Sequence, residues 1–108
     1  TMAIRKVLCV DDSATDLKNM EQVCAGAGYQ VISATSGKDA VAKAKSEHPD
    51  AILLDVIMPD MNGFQACRSL AKDAETKNIP VILVSSKGEK TDKVWGGEQG
   101  ARAYVTKP

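Results

Sequence analysis

Four apolar runs constrain this chain more than any other feature: Val7-Leu8-Cys9-Val10, Ala51-Ile52-Leu53-Leu54, Val81-Ile82-Leu83-Val84 and the weaker Ala103-Tyr104-Val105. None of them alternates apolar with polar residues. A strand with one wet face alternates, whereas an unbroken β-branched and aliphatic run suits a strand covered on both faces, as in a parallel sheet. A fifth segment, Tyr29 to Ala34, is more mixed and reads as an edge strand.

Between the runs the period lengthens. Leu17, Met20, Cys24 and Ala27 recur at three and four residues behind a cap at Ser13 or Thr15, and Gly26 and Gly28 end that helix. Ser36 with Asp39 resembles a capping box and opens a second helix carrying Ala40, Val41 and Ala44, which stops before Pro49. Phe64, Cys67, Leu70 and Ala71 mark a third. Lys90 to Gln99, with Val94 and Trp95, marks a fourth. Gly96-Gly97 weakens that one, since each glycine costs up to ~1 kcal/mol in a helix interior. The order β-α-β-α-β-α-β-α-β predicts a doubly wound α/β fold: a five-stranded parallel sheet with helices on both faces and right-handed crossovers. At 108 residues, one domain over 1–108 is expected. No helix follows the last strand, so a C-terminal helix is missing from these 108 residues: either the chain was cut there, or something else covers that flank of the sheet.

Composition excludes several function classes. Basic and acidic side chains balance at 14 each, which argues against a nucleic-acid or polybasic membrane surface. The apolar runs are far shorter than the ~20 residues of a membrane span. Thr1-Met2-Ala3-Ile4 runs straight into Arg5-Lys6, which is no secretory signal. Aromatic residues make up 4%, so the core is expected to be aliphatic. Cys9, Cys24 and Cys67 are odd in number and widely spaced, and read as reduced core thiols of a cytoplasmic protein. His48, before Pro49, reads as a surface or capping residue rather than a ligand.

The polar residues that close the runs carry the chemistry. The first run ends at Asp11-Asp12, the third strand at Asp55, the fourth at Ser85-Ser86 and the fifth at Thr106-Lys107-Pro108. In an open parallel sheet these ends share one edge, and ligands bind outside the carboxyl ends of the strands. Adjacent carboxylates ~4 Å apart repel by about 4 kcal/mol at an effective dielectric of ~20. Three such acids form an oxygen-rich site for a hard divalent cation, Mg²⁺ (or Mn²⁺), which takes one or two carboxylates plus a phosphate. Lys107 and Ser85 suit phosphoryl oxygens, and a carboxylate can itself accept the phosphoryl group. Asp55 is the best candidate, because it ends a central strand and precedes the constrained loop Met58-Pro59-Asp60-Met61-Asn62-Gly63, where Asn62-Gly63 permits positive φ.

Those residues, as "VDDS" (10–13), "LLDVIMPDMNG" (53–63), "VSS" (84–86) and "YVTKP" (104–108), resemble a bacterial response-regulator receiver domain of the CheY-like kind. Residues 72–108 further resemble the PilH-type twitching-motility regulators of chemotaxis-like systems driving type IV pili. The resemblance implies a flavodoxin-like strand order 2-1-3-4-5 and a set of roles. Asp55 would accept the phosphoryl group from a sensor histidine kinase or its phosphotransfer domain. Asp12, Asp55 and the Ile57 backbone carbonyl would hold Mg²⁺, with Asp11 acting through a metal-bound water. Ser85 and Tyr104 would switch toward the phosphate, Lys107 would contact a phosphate oxygen, and the Lys107-Pro108 bond would be cis. Lys90, Val94, Trp95 and Tyr104 would lie on the output surface that meets a downstream protein, with Trp95 read either as core or as partner contact. Ile57 and Lys87 would sit near the phosphate mouth.

Three other readings compete. A haloacid-dehalogenase-type phosphatase also uses an aspartyl phosphate, but it wants a second Asp where Ile57 stands. A flavodoxin-like cofactor binder needs a hydroxyl- and glycine-rich loop where Asp11-Asp12 would repel a flavin phosphate. A phosphorylation-independent interaction module on the same fold would not need these acids at all.

Overall fold

The computed structural model describes residues 4–56 and 63–85, together with the backbone of 103–106. The chain runs β1 (Lys6–Val10), α1 (Ala14–Gly26), β2 (Gln30–Ala34), α2 (Gly37–Glu47), β3 (Ala51–Asp55), α3 (Gly63–Lys72), β4 (Val81–Ser85) and β5 (Ala103–Thr106). The five strands form one parallel sheet in the order β2-β1-β3-β4-β5. The segment expected to form a fourth helix, from Lys90 to Gln99, lies outside the described residues.

Burial explains why the apolar runs do not alternate. Along β1, Leu8 and Val10 enter one core, with Ile52 and Leu54 of β3, Leu83 of β4, and Ala40, Ala44, Ala66, Cys67 and Leu70 of α2 and α3. Val7 and Cys9 enter the other, with Leu17 and Cys24 of α1. Both faces of β1 are therefore dry, with α1 on one side and α2 and α3 on the other. Leu8, Ile52, Leu54, Leu70 and Leu83 are fully buried, and each contributes roughly 1.5–3 kcal/mol. The edge strand β2 is more exposed, its residues running from exposed Gln30 to buried Ala34.

The helix boundaries follow local chemistry. Ser13 caps α1, its Oγ accepting from the Asp16 N–H at 3.3 Å. Ser36 caps α2 the same way, accepting from the Asp39 N–H at 3.1 Å. His48 closes α2 in the left-handed region at φ 49°, its N–H donating to the Ala44 carbonyl. Pro49 disfavours a further helical residue there, so the lone histidine is a cap. Two expected stripe positions face outward instead: Ala27 is the exposed C-cap of α1, and Ala71 is exposed while Ala66 takes the buried place on α3. An error in helical phase is easy to make where alanine and glycine crowd the sequence, because neither marks a face strongly.

Two polar contacts fix the ends of elements. Asp50 Oδ2 accepts from the backbone N–H groups of Arg5 and Lys6, each at 2.9 Å, pinning the start of β1 to the turn before β3. These N–H donors, that of Lys6 foremost, hold the Asp50 carboxyl below the usual carboxylate range. Thr76, buried at 1% exposure, donates its hydroxyl to the Leu70 carbonyl at 2.7 Å and closes the end of α3. Thr76→Val keeps the shape but strands that carbonyl. It is expected to lower stability by about 1–2 kcal/mol, read as a lower urea midpoint with an unchanged denaturant slope.

Candidate functional site

The sheet register builds the site. Val10 pairs with Leu54 across β1 and β3, so the next residues, Asp11 and Asp55, stand side by side at the carboxyl edge. Asp55 itself pairs with Val84, which puts Ser85 one step further along β4, where it pairs with Thr106 of β5. Neighbouring strands lie only ~4.8 Å apart, so the ends of β1, β3 and β4 deliver their polar residues to one edge.

Three acids converge there. One carboxylate oxygen from each of Asp11, Asp12 and Asp55 lies within 4.8 Å of the others. Asp11 and Asp55 are buried, at 1% and 5% exposure, and Asp12 is exposed. Asp11 is oriented from two directions: its N–H donates to the Ala34 carbonyl at 3.2 Å, and its Oδ1 accepts from the Ser13 N–H at 3.0 Å. Ser13 thus serves twice, capping α1 with its hydroxyl and holding Asp11 with its backbone. At 4.8 Å, two carboxylates repel by about 3 kcal/mol at an effective dielectric of ~20. The donor set is all oxygen, anionic and open on the Asp12 side, which is the chemistry that a hard divalent cation takes.

Gly63 holds the far wall of this edge. Its N–H donates to the Val56 carbonyl, and a Cβ built on it would run into the Asp55 carbonyl oxygen and the Val56 Cα. Asn62, of the Asn62-Gly63 pair that permits a positive φ, lies outside the described residues, and among the described glycines only Gly28 has a positive φ, at 95°. What Gly63 provides is space for close backbone approach rather than an unusual angle.

Of the residues singled out from the sequence, the structure brings together Asp11, Asp12 and Asp55, with Ser85 buried at the end of the neighbouring strand. Ile57, Lys87, Lys90, Val94, Trp95, Lys107 and Pro108 lie outside the described residues, as does the Tyr104 side chain. Sequence reading missed Ser13 and Gly63 as supports of the acids. A serine two residues after an aspartate, and a glycine opening a helix, were the available signals.

The sequence matches the response regulator receiver domain family over residues 7–108. The chain is a receiver domain of that family. Protein PilH of Pseudomonas aeruginosa is 52% identical over 103 residues, covering 95% of this chain and 85% of its own. Response regulator PleD of Caulobacter vibrioides is 40% identical over 103 residues, where the receiver domain matches 23% of the longer protein. Among solved structures, a chemotaxis response regulator of Vibrio cholerae superposes with a TM-score of 0.90 at 32% identity, covering 98% of this chain and 88% of that one. A CheX–CheY–BeF₃–Mg²⁺ complex from Borrelia burgdorferi superposes at 0.89 and 31% identity, covering 96% and 78%. The receiver family is a signalling switch of two-component systems, and the flavodoxin-like fold and strand order expected from the resemblance are those observed. Among the described residues, no helix is long and apolar enough to cross a membrane.

Proposed function

We propose that this receiver domain is a phosphoacceptor switch in which Asp55 takes a phosphoryl group from a sensor histidine kinase or its phosphotransfer domain. The observation that carries this reading is the convergence of Asp11, Asp12 and Asp55 at the carboxyl edge of the sheet. Asp11, Asp12, Asp55 and the Ile57 carbonyl are the proposed holders of Mg²⁺ (or Mn²⁺), which supplies charge neutralisation for an incoming phosphoryl group when bound. A carboxylate oxygen of Asp55 attacks phosphorus as the bond to the donor nitrogen breaks, and the electron pair returns to the donor imidazole. Asp55 is buried, at 5% exposure, which limits its access to bulk water. Ser85 and Lys107 are the proposed contacts of the phosphoryl oxygens, Tyr104 the side chain that rotates inward with Ser85, and Lys107-Pro108 the proposed cis bond.

The signal is then a population shift read by a downstream protein on a surface around Lys90, Val94, Trp95 and Tyr104. The domain works in the cytoplasm as a single unit over 1–108, and any phosphoryl uptake and hydrolysis is its own rather than turnover of a substrate. Similarity to PilH supports a chemotaxis-like or type IV pilus twitching pathway. The CheX complex of a relative supports a protein as target.

Acetyl phosphate with Mg²⁺, followed by intact-mass measurement, tests the reading. One phosphoryl mass is expected on wild type and none on Asp55→Ala. Equal addition to both, or none to either, would favour the phosphorylation-independent module.

A further inference from the structure

A second reactive group lies away from the acids, in the core between β1 and α1. Cys9 of β1 and Cys24 of α1 meet with their sulfurs 3.9 Å apart, although 15 residues separate them in sequence. Both are thiols, and both are buried in the smaller core with Val7 and Leu17. We propose that Cys9 and Cys24 form a redox-active dithiol that a hydroperoxide closes to a disulfide tying α1 to β1.

Three observations support it. The sulfurs are already in contact, so closure to the ~2.05 Å of a disulfide needs side-chain rotation and a small approach of the helix rather than a refolding. The two residues differ in access. Cys9 is sealed, at 0% exposure, while Cys24 keeps 7% and sits between exposed Val23 and Ala25 near the end of α1. A small oxidant therefore reaches Cys24 first. Cys67 lies on the opposite face of the sheet in the larger core, out of reach of the pair.

The chemistry balances without further reactants. The Cys24 sulfur, having lost its proton, attacks one peroxide oxygen. The O–O bond breaks, Cys24 becomes a sulfenic acid, and the departing hydroxide takes the proton to leave as water. Cys9 then attacks the Cys24 sulfur, the S–O bond breaks, and hydroxide leaves with the Cys9 proton as a second water. Two thiols are oxidised by two electrons and one peroxide is reduced. Burial, with the neighbouring Cys24 adding to it, pushes the Cys9 thiol up to about 12. A leaving thiol of high pKa leaves slowly. A reductant that attacks the Cys24 sulfur must expel Cys9.

The test treats the folded protein with hydrogen peroxide, confirms native circular dichroism, then unfolds it in an alkylating agent for intact-mass and non-reducing peptide analysis. The expected result is loss of two hydrogens, one cross-linked peptide joining Cys9 to Cys24, a single alkylated cysteine at Cys67, and a thermal midpoint raised by about 5–10 °C. Cys67→Ala is expected to retain the cross-link and Cys24→Ser to lose it. Alkylation of all three cysteines after treatment would overturn the proposal. So would oxygen added to Cys24 with Cys9 still alkylatable, or cross-links through Cys67. Should Cys24→Ser fail to fold, the wild-type and Cys67→Ala peptide maps decide between these outcomes on their own.

Discussion

Gly63→Ala is expected to cost about 3 kcal/mol or more, a fall in thermal midpoint of more than ~10 °C. The added methyl would meet the Asp55 carbonyl oxygen, the Val56 Cα and the Asp55 carbonyl carbon, all of them backbone atoms. A flexible side chain could swing away. Main chain at the end of a central strand cannot, because Asp55 is paired to β4 and Val56 donates to the Val84 carbonyl at 3.1 Å. Relief must come from pulling the start of α3 off the sheet, which breaks the Gly63 to Val56 hydrogen bond and opens Ala66, Cys67 and Leu70 to water. Gly26→Ala is the control. It ends a helix with nothing within 4 Å of the new methyl, and it is expected to be neutral or stabilising by up to ~1 kcal/mol. Parallel thermal melts check both, and a Gly63→Ala midpoint within a degree or two of wild type would contradict the close-approach account.

Asp12→Asn is expected to do the reverse in a magnesium-free buffer. Three carboxylates with oxygens inside 4.8 Å repel one another. Removing the charge of the exposed member leaves its shape and should raise stability by about 1 kcal/mol, after discounting for solvent screening. The gain should shrink as salt rises, since exposed charges are screened within ~10 Å at 0.1 M. The same substitution should lose the stabilisation that Mg²⁺ gives wild type, which reaches about 2.7 kcal/mol at a hundredfold excess over the dissociation constant. Melts with chelator and with excess Mg²⁺ measure both effects. Stability that falls without Mg²⁺ would mean that Asp12 is held by a favourable partner rather than by mutual repulsion.

The parts of this fold legible in the sequence are those set by one-dimensional pattern. Val7 to Val10 and Ala51 to Leu54 read as doubly covered strands because every residue in them is apolar, and burial on alternating sides is what they show. Ser13, Ser36 and His48 read as helix ends because capping is a contact over three or four residues. Asp11, Asp12 and Asp55 read as one cluster because strand ends in a parallel sheet must share an edge. What escaped is set by contacts between segments far apart. Nothing in the composition near Asp50 announces that its carboxylate will accept the N–H groups of Arg5 and Lys6. Thr76 looks like any loop threonine until α3 ends beneath it. Cys9 and Cys24 could be placed in the core from type alone, but their contact depends on the rotation of α1 over β1. Gly63 was legible as a turn glycine, but its need for room was not, because a glycine needed for room and one suited to a special dihedral look alike in a sequence.

Asp11, Asp12 and Asp55 at the carboxyl edge of this sheet are the proposed divalent-cation site. Titration of the ¹⁵N-labelled protein with MgCl₂, followed through backbone amide shifts, tests it most directly. The account predicts saturable shifts that share one dissociation constant, largest at Asp11, Asp12, Ser13, Asp55 and Val56, and absent in Asp12→Asn. Unchanged amides at those five positions, or shifts of equal size scattered over distant surface acids such as Asp39 and Asp73, would contradict it.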